Sequence, residues 1–109
     1  MEELIKKLED FDPTKYTEKF IEALTLQNEC EVKYKAARAG SWLVNKNAEG
    51  KPTDKLVEAQ VELDTKVVKA NAELIVAEGN FQRARLERED YYEKYQRDKK
   101  IADIKKVSY

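Results

Sequence analysis

The chain has 109 residues, enough for one domain but too few for two independent hydrophobic cores, and 39% of them are charged, with a net charge of -1. The absence of histidine excludes a Cys/His zinc site and a Ser-His or Cys-His catalytic pair, and the single cysteine cannot form an internal disulfide. No stretch approaches the roughly 20 apolar residues that span a bilayer, so we expect a cytoplasmic protein that does not bind a membrane.

The predicted elements begin with a short helix over residues 1–11. Four apolar residues recur there at helical spacing: Leu4, Ile5, Leu8 and Phe11. The helix ends before Asp12-Pro13, because aspartate caps a following helix and proline is favoured at its first position. We expect this short helix to cover the end of the longer elements.

Two long helices follow, because glycine and proline are scarce and clustered. The first is predicted over residues 13–44 and the second over residues 53–106. The segment 45–52 contains Asn, Gly and Pro and predicts a turn. The expected fold is therefore all-α, a single helical domain over residues 1–109 that forms a long antiparallel helical hairpin, or coiled coil.

Heptad spacing in the second long helix defines a first apolar row that should face the first helix. Its members are Leu56, Gln60, Leu63, Val67, Ala70, Leu74, Ala77, Phe81, Ala84, Arg88, Tyr91 and Tyr95. If the helices meet across a tight turn, facing residue numbers add up to about 97. That register places Cys30 opposite Val67 and Tyr16 opposite Phe81.

A second apolar row lies off the first one. Its members are Val57, Val61, Val68, Ala72 and Ile75. Because a helix with two apolar rows needs two neighbours, this row predicts a homodimer that forms a four-helix bundle. The alternative is that the short N-terminal helix folds over the second row within one chain.

The hairpin tip is basic, since residues 32–55 carry six Lys or Arg and only two Asp or Glu. The candidate binding residues for nucleic acid or an acidic partner are Lys33, Lys35, Arg38, Trp42, Lys46, Lys51 and Lys55. Basic side chains can bind phosphates while an aromatic ring stacks on a base. The competing interpretation is a solvated face with Trp42 closing the end of the core.

Tyr91, Tyr92 and Tyr95 form a second candidate cluster within a charged segment. Tyr91 and Tyr95 fall on the first row. This position favours the interpretation that the rings pack at the solvent-exposed end of the hairpin, with their hydroxyls in water. The alternatives are base stacking and contact with a partner protein, since tyrosine is enriched at protein interfaces.

The sequence offers no pattern typical of catalysis. The three glycines are scattered, so no phosphate-binding loop is present. The predicted interhelical rows contain no carboxylate that could hold a metal in the core, and Cys30 is interpreted as a small core residue. We therefore expect no enzymatic activity and no cofactor.

One resemblance extends these inferences. The run from Tyr34 to Ala39 (YKAARA), a polar turn and the run from Phe81 to Leu86 (FQRARL) within a long helix resemble small helical-hairpin proteins of phages of Gram-positive bacteria. Such proteins are often encoded among recombination and replication genes. The resemblance covers about residues 30–100 and implies an accessory role in the host-cell cytoplasm.

Two hypotheses of function follow. The first is a non-enzymatic, rigid protein-interaction module that acts as an adaptor, inhibitor or assembly factor, in which Tyr91, Tyr92 and Tyr95 are candidate partner contacts. The alternative is an accessory factor of recombination or replication that binds nucleic acid through the basic tip.

Overall fold

The chain is all-α in a computed structural model that describes residues 2–108, with their side chains as far as residue 105. Four helices occur in the order α1 (Glu2–Glu9), α2 (Thr14–Lys46), α3 (Asp54–Leu63) and α4 (Thr65–Ser108), and no strand is found within this range. The predicted fold class is confirmed: the long helices pair as a helical hairpin. The first residue of the helix predicted over 1–11, Met1, lies outside the described residues.

The chain, predicted as one domain, divides into two compact units. Unit 1 combines Met1–Glu22 with Gln82–Tyr109, and unit 2 is the continuous segment Ala23–Phe81. Helices α2 and α4 each contribute residues to both units.

Unit 2 is a hairpin of α2 against α3 and the first part of α4. Its buried residues form two clusters, Cys30 with Leu74 and Ala77, and Val57 with Val61 and Val67. Partly buried side chains complete these clusters: Tyr34, Ala37 and Trp42. The core is thin because only one side of each helix is covered.

The tip of unit 2 is a short loop with specific turn chemistry. Gly50 and Lys51 both have positive φ angles, 88° and 47°, a conformation that glycine adopts at little cost and other residues rarely adopt. Thr53 caps α3 by accepting a hydrogen bond from the Leu56 amide at 3.4 Å. An ion pair of 2.6 Å between Lys46 and Asp54 joins the two ends of the loop.

The helix predicted over residues 53–106 is divided at Asp64. This residue has extended backbone angles, φ -63° and ψ 122°, and its amide donates to the Val61 carbonyl. Its carboxylate accepts a hydrogen bond from the Lys66 amide at 2.9 Å, so Asp64 is also the N-cap of α4. A hydrogen bond from Ser41, and then that of Lys66, lower the pKa of Asp64.

This break shifts the buried row by one residue. On α3 the buried residues belong to the second predicted row, since Val57 is 0% and Val61 1% exposed. On α4 the buried residues belong to the first row, beginning with Val67 and continuing through Leu74. The first predicted row is thus exposed in α3 and buried or partly buried in α4. The second row is buried in α3 and exposed in α4.

The break corrects two predictions. Val57 and Val61, expected at a dimer interface, are buried within their own chain and cannot contact a second copy. Leu56 and Leu63, expected in the core, are 51% and 73% exposed. An unbroken helix would keep each row on one face, whereas the extended residue Asp64 rotates α3 relative to α4. The remaining second-row residues are exposed: Val68, Ala72 and Ile75.

The predicted register was also wrong. Cys30 packs with Leu74 and Ser41 faces Asp64, so facing residue numbers add up to about 105 instead of 97. The predicted register assumed a tight turn between the two long helices. Instead, the loop and the whole of α3 lie between the facing residues Ser41 and Asp64, so more residues separate them than a tight hairpin needs.

Unit 1 joins α1 and the start of α2 to the later part of α4. Asp12 lies just before α2, where its carboxylate accepts a hydrogen bond from the Thr14 amide at 3.0 Å. Hydrogen bonds from the Thr14 side chain and then from its amide lower the pKa of Asp12. On the facing helix, Arg88 donates to the Thr17 hydroxyl at 3.4 Å. The helix predicted over residues 13–44 is observed over Thr14–Lys46, so it starts one residue later and ends two residues later than predicted.

The shifted row predicts unequal costs for two similar substitutions. We expect Val61→Ala to lower the free energy of unfolding by about 2 kcal/mol, because it removes two methyl groups from a buried site. The matched control Val68→Ala, at a site that is 53% exposed, should cost less than about 0.5 kcal/mol. Urea unfolding followed by circular dichroism measures both; a larger cost for Val68→Ala would show that the row is not shifted.

A second prediction concerns the free energy of unfolding at low pH. Because the folded chain favours ionised Asp64, the stabilisation is complete above the ordinary pKa of aspartate and is lost as the pH falls through the lowered folded value. We expect Asp64→Asn to reduce the difference in unfolding free energy between about pH 7 and pH 3. The exposed variant Gln60→Ala is the control, and an unchanged difference in Asp64→Asn would contradict the assigned hydrogen bonds.

Candidate protein-interaction surface

The tyrosines of α4 surround Phe11. The Phe11 ring stacks on Tyr95 with 3.9 Å between ring centroids and on Tyr91 with 5.1 Å, and it meets Tyr92 edge-on at 5.5 Å. Tyr16 stacks on the Tyr91 ring at 4.5 Å. We call these five residues the aromatic cluster; it joins α4 to the segment between α1 and α2.

Polar contacts fix the orientation of the aromatic cluster. The Asp12 amide donates a hydrogen bond to the Tyr91 hydroxyl at 2.9 Å. The Arg88 guanidinium lies 5.3 Å from the Tyr92 ring centroid and equally far from that of Phe20, within the range of a cation–π interaction. All three tyrosines are half-buried in these contacts, and the Tyr91 hydroxyl, expected in water, accepts a hydrogen bond from the chain itself.

The basic residues of the tip do not form one surface. Lys35 pairs with Glu31 at 3.0 Å, and Lys46 pairs with Asp54 at 2.6 Å. Arg38 lies over the Tyr34 ring, 5.8 Å from its centroid, and donates to the Tyr34 hydroxyl at 3.3 Å. These cations are engaged with groups of their own chain.

Trp42 belongs to the core of the tip. Its ring is half-buried and packs against the cluster of Val57, Val61 and Val67. A stacking platform for a base needs an exposed ring face, whereas Trp42 covers the valines. Of the other candidates, Lys51 and Lys55 are exposed near the loop, and Lys33 lines a groove on another side of α2.

One side of unit 2 exposes large aliphatic side chains. Successive residues of a helix are turned by about 100°, so residues that precede or follow the buried row define two sides of the hairpin. One of them, which we call the apolar flank, consists of Leu26, Val44, Leu56, Leu63 and Val76, each of which is exposed. Both paired halves of the hairpin contribute to it.

A groove of about 450 Å³ shows that the two helices share this side. Its lining residues are Leu26, Cys30, Lys33, Ala72, Glu73, Val76, Ala77 and Asn80. The free thiol of Cys30 lies in this groove and is buried. The groove therefore combines an apolar floor with one lysine and one glutamate at its rim.

The opposite side of unit 2 is polar. It carries the Lys35–Glu31 ion pair and the contact of Arg38 with Tyr34. Asn45 adds a bond of 2.8 Å from its side-chain amide to the Ser41 carbonyl. The polar groups of this side bond to other groups of the same chain, whereas the apolar flank exposes its aliphatic side chains.

Sequence reasoning missed the apolar flank. The first row placed Leu56 and Leu63 in the core, and Leu26 and Val76 were assigned to no surface. The signal that could have revealed the flank is Asp64 followed by Thr65 and Lys66, because aspartate is a preferred N-cap and marks a helix start.

Within the described range, no group of three or more His, Cys, Asp or Glu side chains is arranged to hold a metal ion. None of the helices in that range is both long and apolar enough to cross a membrane.

The fold defines the class of protein, an all-α chain whose long helices pair as a helical hairpin. Comparisons with protein-family models, with curated proteins and with solved structures find nothing that matches this chain. The resemblance to phage hairpin proteins therefore stays a prediction, and function has to be argued from the surfaces described above.

The aromatic cluster gives a prediction for α1. We expect Phe11→Leu, which keeps an apolar side chain but loses the ring contacts, to lower the free energy of unfolding by about 1–2 kcal/mol. Hydrogen exchange in α1 should speed up more than exchange in unit 2, to which no residue of the cluster belongs. Tyr91→Phe is a control that keeps the ring and removes only the hydroxyl; equal exchange in wild type and Phe11→Leu would contradict the anchoring role.

Proposed function

We propose that the chain is a non-enzymatic helical protein-interaction module that acts through the exposed aliphatic side chains of unit 2. The observation that supports this proposal is the distribution of apolar residues. Nine large aliphatic side chains of unit 2 are exposed: Leu26, Val32, Leu43, Val44, Leu56, Leu63, Val68, Ile75 and Val76. Its buried clusters contain only six residues.

Removing these aliphatic side chains from water would stabilise a complex. Burial of an exposed valine, leucine or isoleucine side chain contributes about 1.5–3 kcal/mol, and an extended apolar surface on a hairpin is typical of a binding site. Covering the five residues of the apolar flank would therefore favour association, even after the loss of translational and rotational freedom.

The proposed role is that of an adaptor, inhibitor or assembly factor. An accessory role in a phage, inside the host-cell cytoplasm, rests on the resemblance to phage hairpin proteins. Homodimerisation is proposed separately from the adaptor role, because a second copy is another partner that the exposed aliphatic residues could bind.

The nucleic-acid alternative has weaker support. Lys35, Arg38 and Lys46 contact groups of their own chain, and Trp42 packs against valines. Lys51 and Lys55 near the loop, with Lys33 on another side of α2, offer few phosphate contacts, and non-specific affinity grows with the number of contacts.

A crosslinking experiment tests the proposal. A photoreactive amino acid is placed at position 63 on the apolar flank and, as a matched control, at position 58, which is exposed on the same helix. We expect adducts with another protein, formed in cells of the source organism, from position 63 and not from position 58. Equal adducts from both positions, or only adducts between copies of this chain, would overturn the proposed adaptor role.

A binding measurement separates the alternative. Labelled single- and double-stranded oligonucleotides are titrated with the protein at about 50 and 200 mM salt and followed by fluorescence anisotropy. We expect no salt-sensitive binding. Tight binding that Lys51→Glu and Lys55→Glu abolish, with helicity unchanged, would replace the proposed function with the nucleic-acid hypothesis.

A further inference from the structure

We propose that the apolar flank is the contact between two copies of this chain, which pack antiparallel about a two-fold axis to form a four-helix arrangement. This inference rests on the proposed function only in taking the flank as an interaction surface. The occupant is a second copy because the flank is complementary to itself.

The first observation is complementarity along α3 and α4. A copy reversed about a point between Lys69 and Ala70 brings Leu63 opposite Val76 of the second copy. The same reversal brings Lys66 opposite Glu73 of the second copy, so an aliphatic pair and an opposite-charge pair occur in one register. By symmetry each pair occurs twice.

The two charged side chains of this register, Lys66 and Glu73, are exposed. The Lys66 ammonium also attracts the Asp64 carboxylate of its own chain, a weaker influence on that carboxylate than the hydrogen bonds from Ser41 and from the Lys66 amide. Glu73 lines the groove beside Val76. An ion pair at the edge of an aliphatic contact fixes register and orientation more than it adds affinity.

The second observation comes from α2. Leu26 and Val44 are the large aliphatic residues that α2 contributes to the flank. A reversed copy brings Leu26 of one chain opposite Val44 of the other if the axis crosses α2 at the level of Lys35. This pair also occurs twice.

The two registers fit the same axis. The axis crosses α2 at Lys35 and α4 between Lys69 and Ala70. Within one chain these levels face each other, because facing residue numbers in unit 2 add up to about 105, as for Ser41 and Asp64. One straight two-fold axis therefore satisfies the contacts of both helices.

Small residues lie near the centre of the contact, together with Lys33, which lines the groove. The small residues Ala37 and Gly40 lie on the same side of α2, and a Cβ added at Gly40 would meet no atom within 4 Å. Lys69 lies near the axis at the outer edge of α4, where its long stem can extend the ammonium group into water.

This contact differs from the predicted one. Val57 and Val61 are buried in their own chain, and Val68 and Ile75 lie on the far side of α4 from its buried row, whereas Ala72 lines the groove of the apolar flank. That far side stays exposed in the dimer and can serve a different partner.

Sedimentation equilibrium of the full chain tests the proposal. We expect the wild type to have twice the monomer mass of 12.7 kDa and Leu63→Asp to sediment as a monomer. Ile75→Asp is the matched control, since Ile75 is also exposed but lies off the flank, and it should remain a dimer. Circular dichroism of each variant checks that the helices are intact.

A charge exchange tests the register itself. Lys66→Glu and Glu73→Lys should each weaken the dimer at least about tenfold, through like charges placed opposite each other. The double variant, Lys66→Glu with Glu73→Lys, should restore the affinity. If the two-fold axis ran along the helices, Glu73 would lie opposite Lys33 of the second copy, and the double variant would not be restored.

The possible outcomes separate this inference from the proposed function. A wild type that is monomeric at about 100 μM, a dimer that only Ile75→Asp dissociates, or a double variant without restoration each overturns the dimer. Crosslinks to another protein from position 63 of a monomeric chain would then leave the proposed function standing. A flank dimer without such crosslinks supports the inference while the adaptor role fails.

Discussion

A single extended residue, Asp64, determines which aliphatic side chains of the hairpin are buried. It ends α3, begins α4 and accepts hydrogen bonds from Ser41 and from the Lys66 amide. Since a helix turns by about 100° per residue, removing one residue from the helical path exchanges the row that faces α2. The buried valines of α3, the exposed leucines beside them and the apolar flank all follow from this residue.

The two units are stabilised by different chemistry. Unit 2 buries aliphatic residues in two small clusters, whose strength comes from removing apolar area from water. Unit 1 relies on stacked rings around Phe11 and on the amide of Asp12 bonded to Tyr91. The same α4 helix provides valine and leucine to one unit and tyrosine to the other.

The sequence contained enough information to predict the fold class but not the surface. Helical periodicity, a polar turn and the cap at Asp12 predicted the helices. The rows of α4 beyond Asp64 also predicted buried Val67 and Leu74. The dimer face and register depended on assuming a continuous helix, because periodicity gives the spacing of residues and not the rotation introduced by a cap. Trp42 illustrates the same limit: composition placed it among lysines, whereas packing placed it on valines.

The discontinuous make-up of unit 1 has a consequence for the order of folding. Its contacts join segments as far apart as Asp12 and Tyr91, separated by 79 positions, whereas unit 2 is one continuous segment closed by the loop between Lys46 and Asp54. Closing a long loop costs more entropy than closing a short one, although the cost grows slowly. Unit 2 is therefore expected to form first and to bring the distant segments together, so that the aromatic rings assemble last.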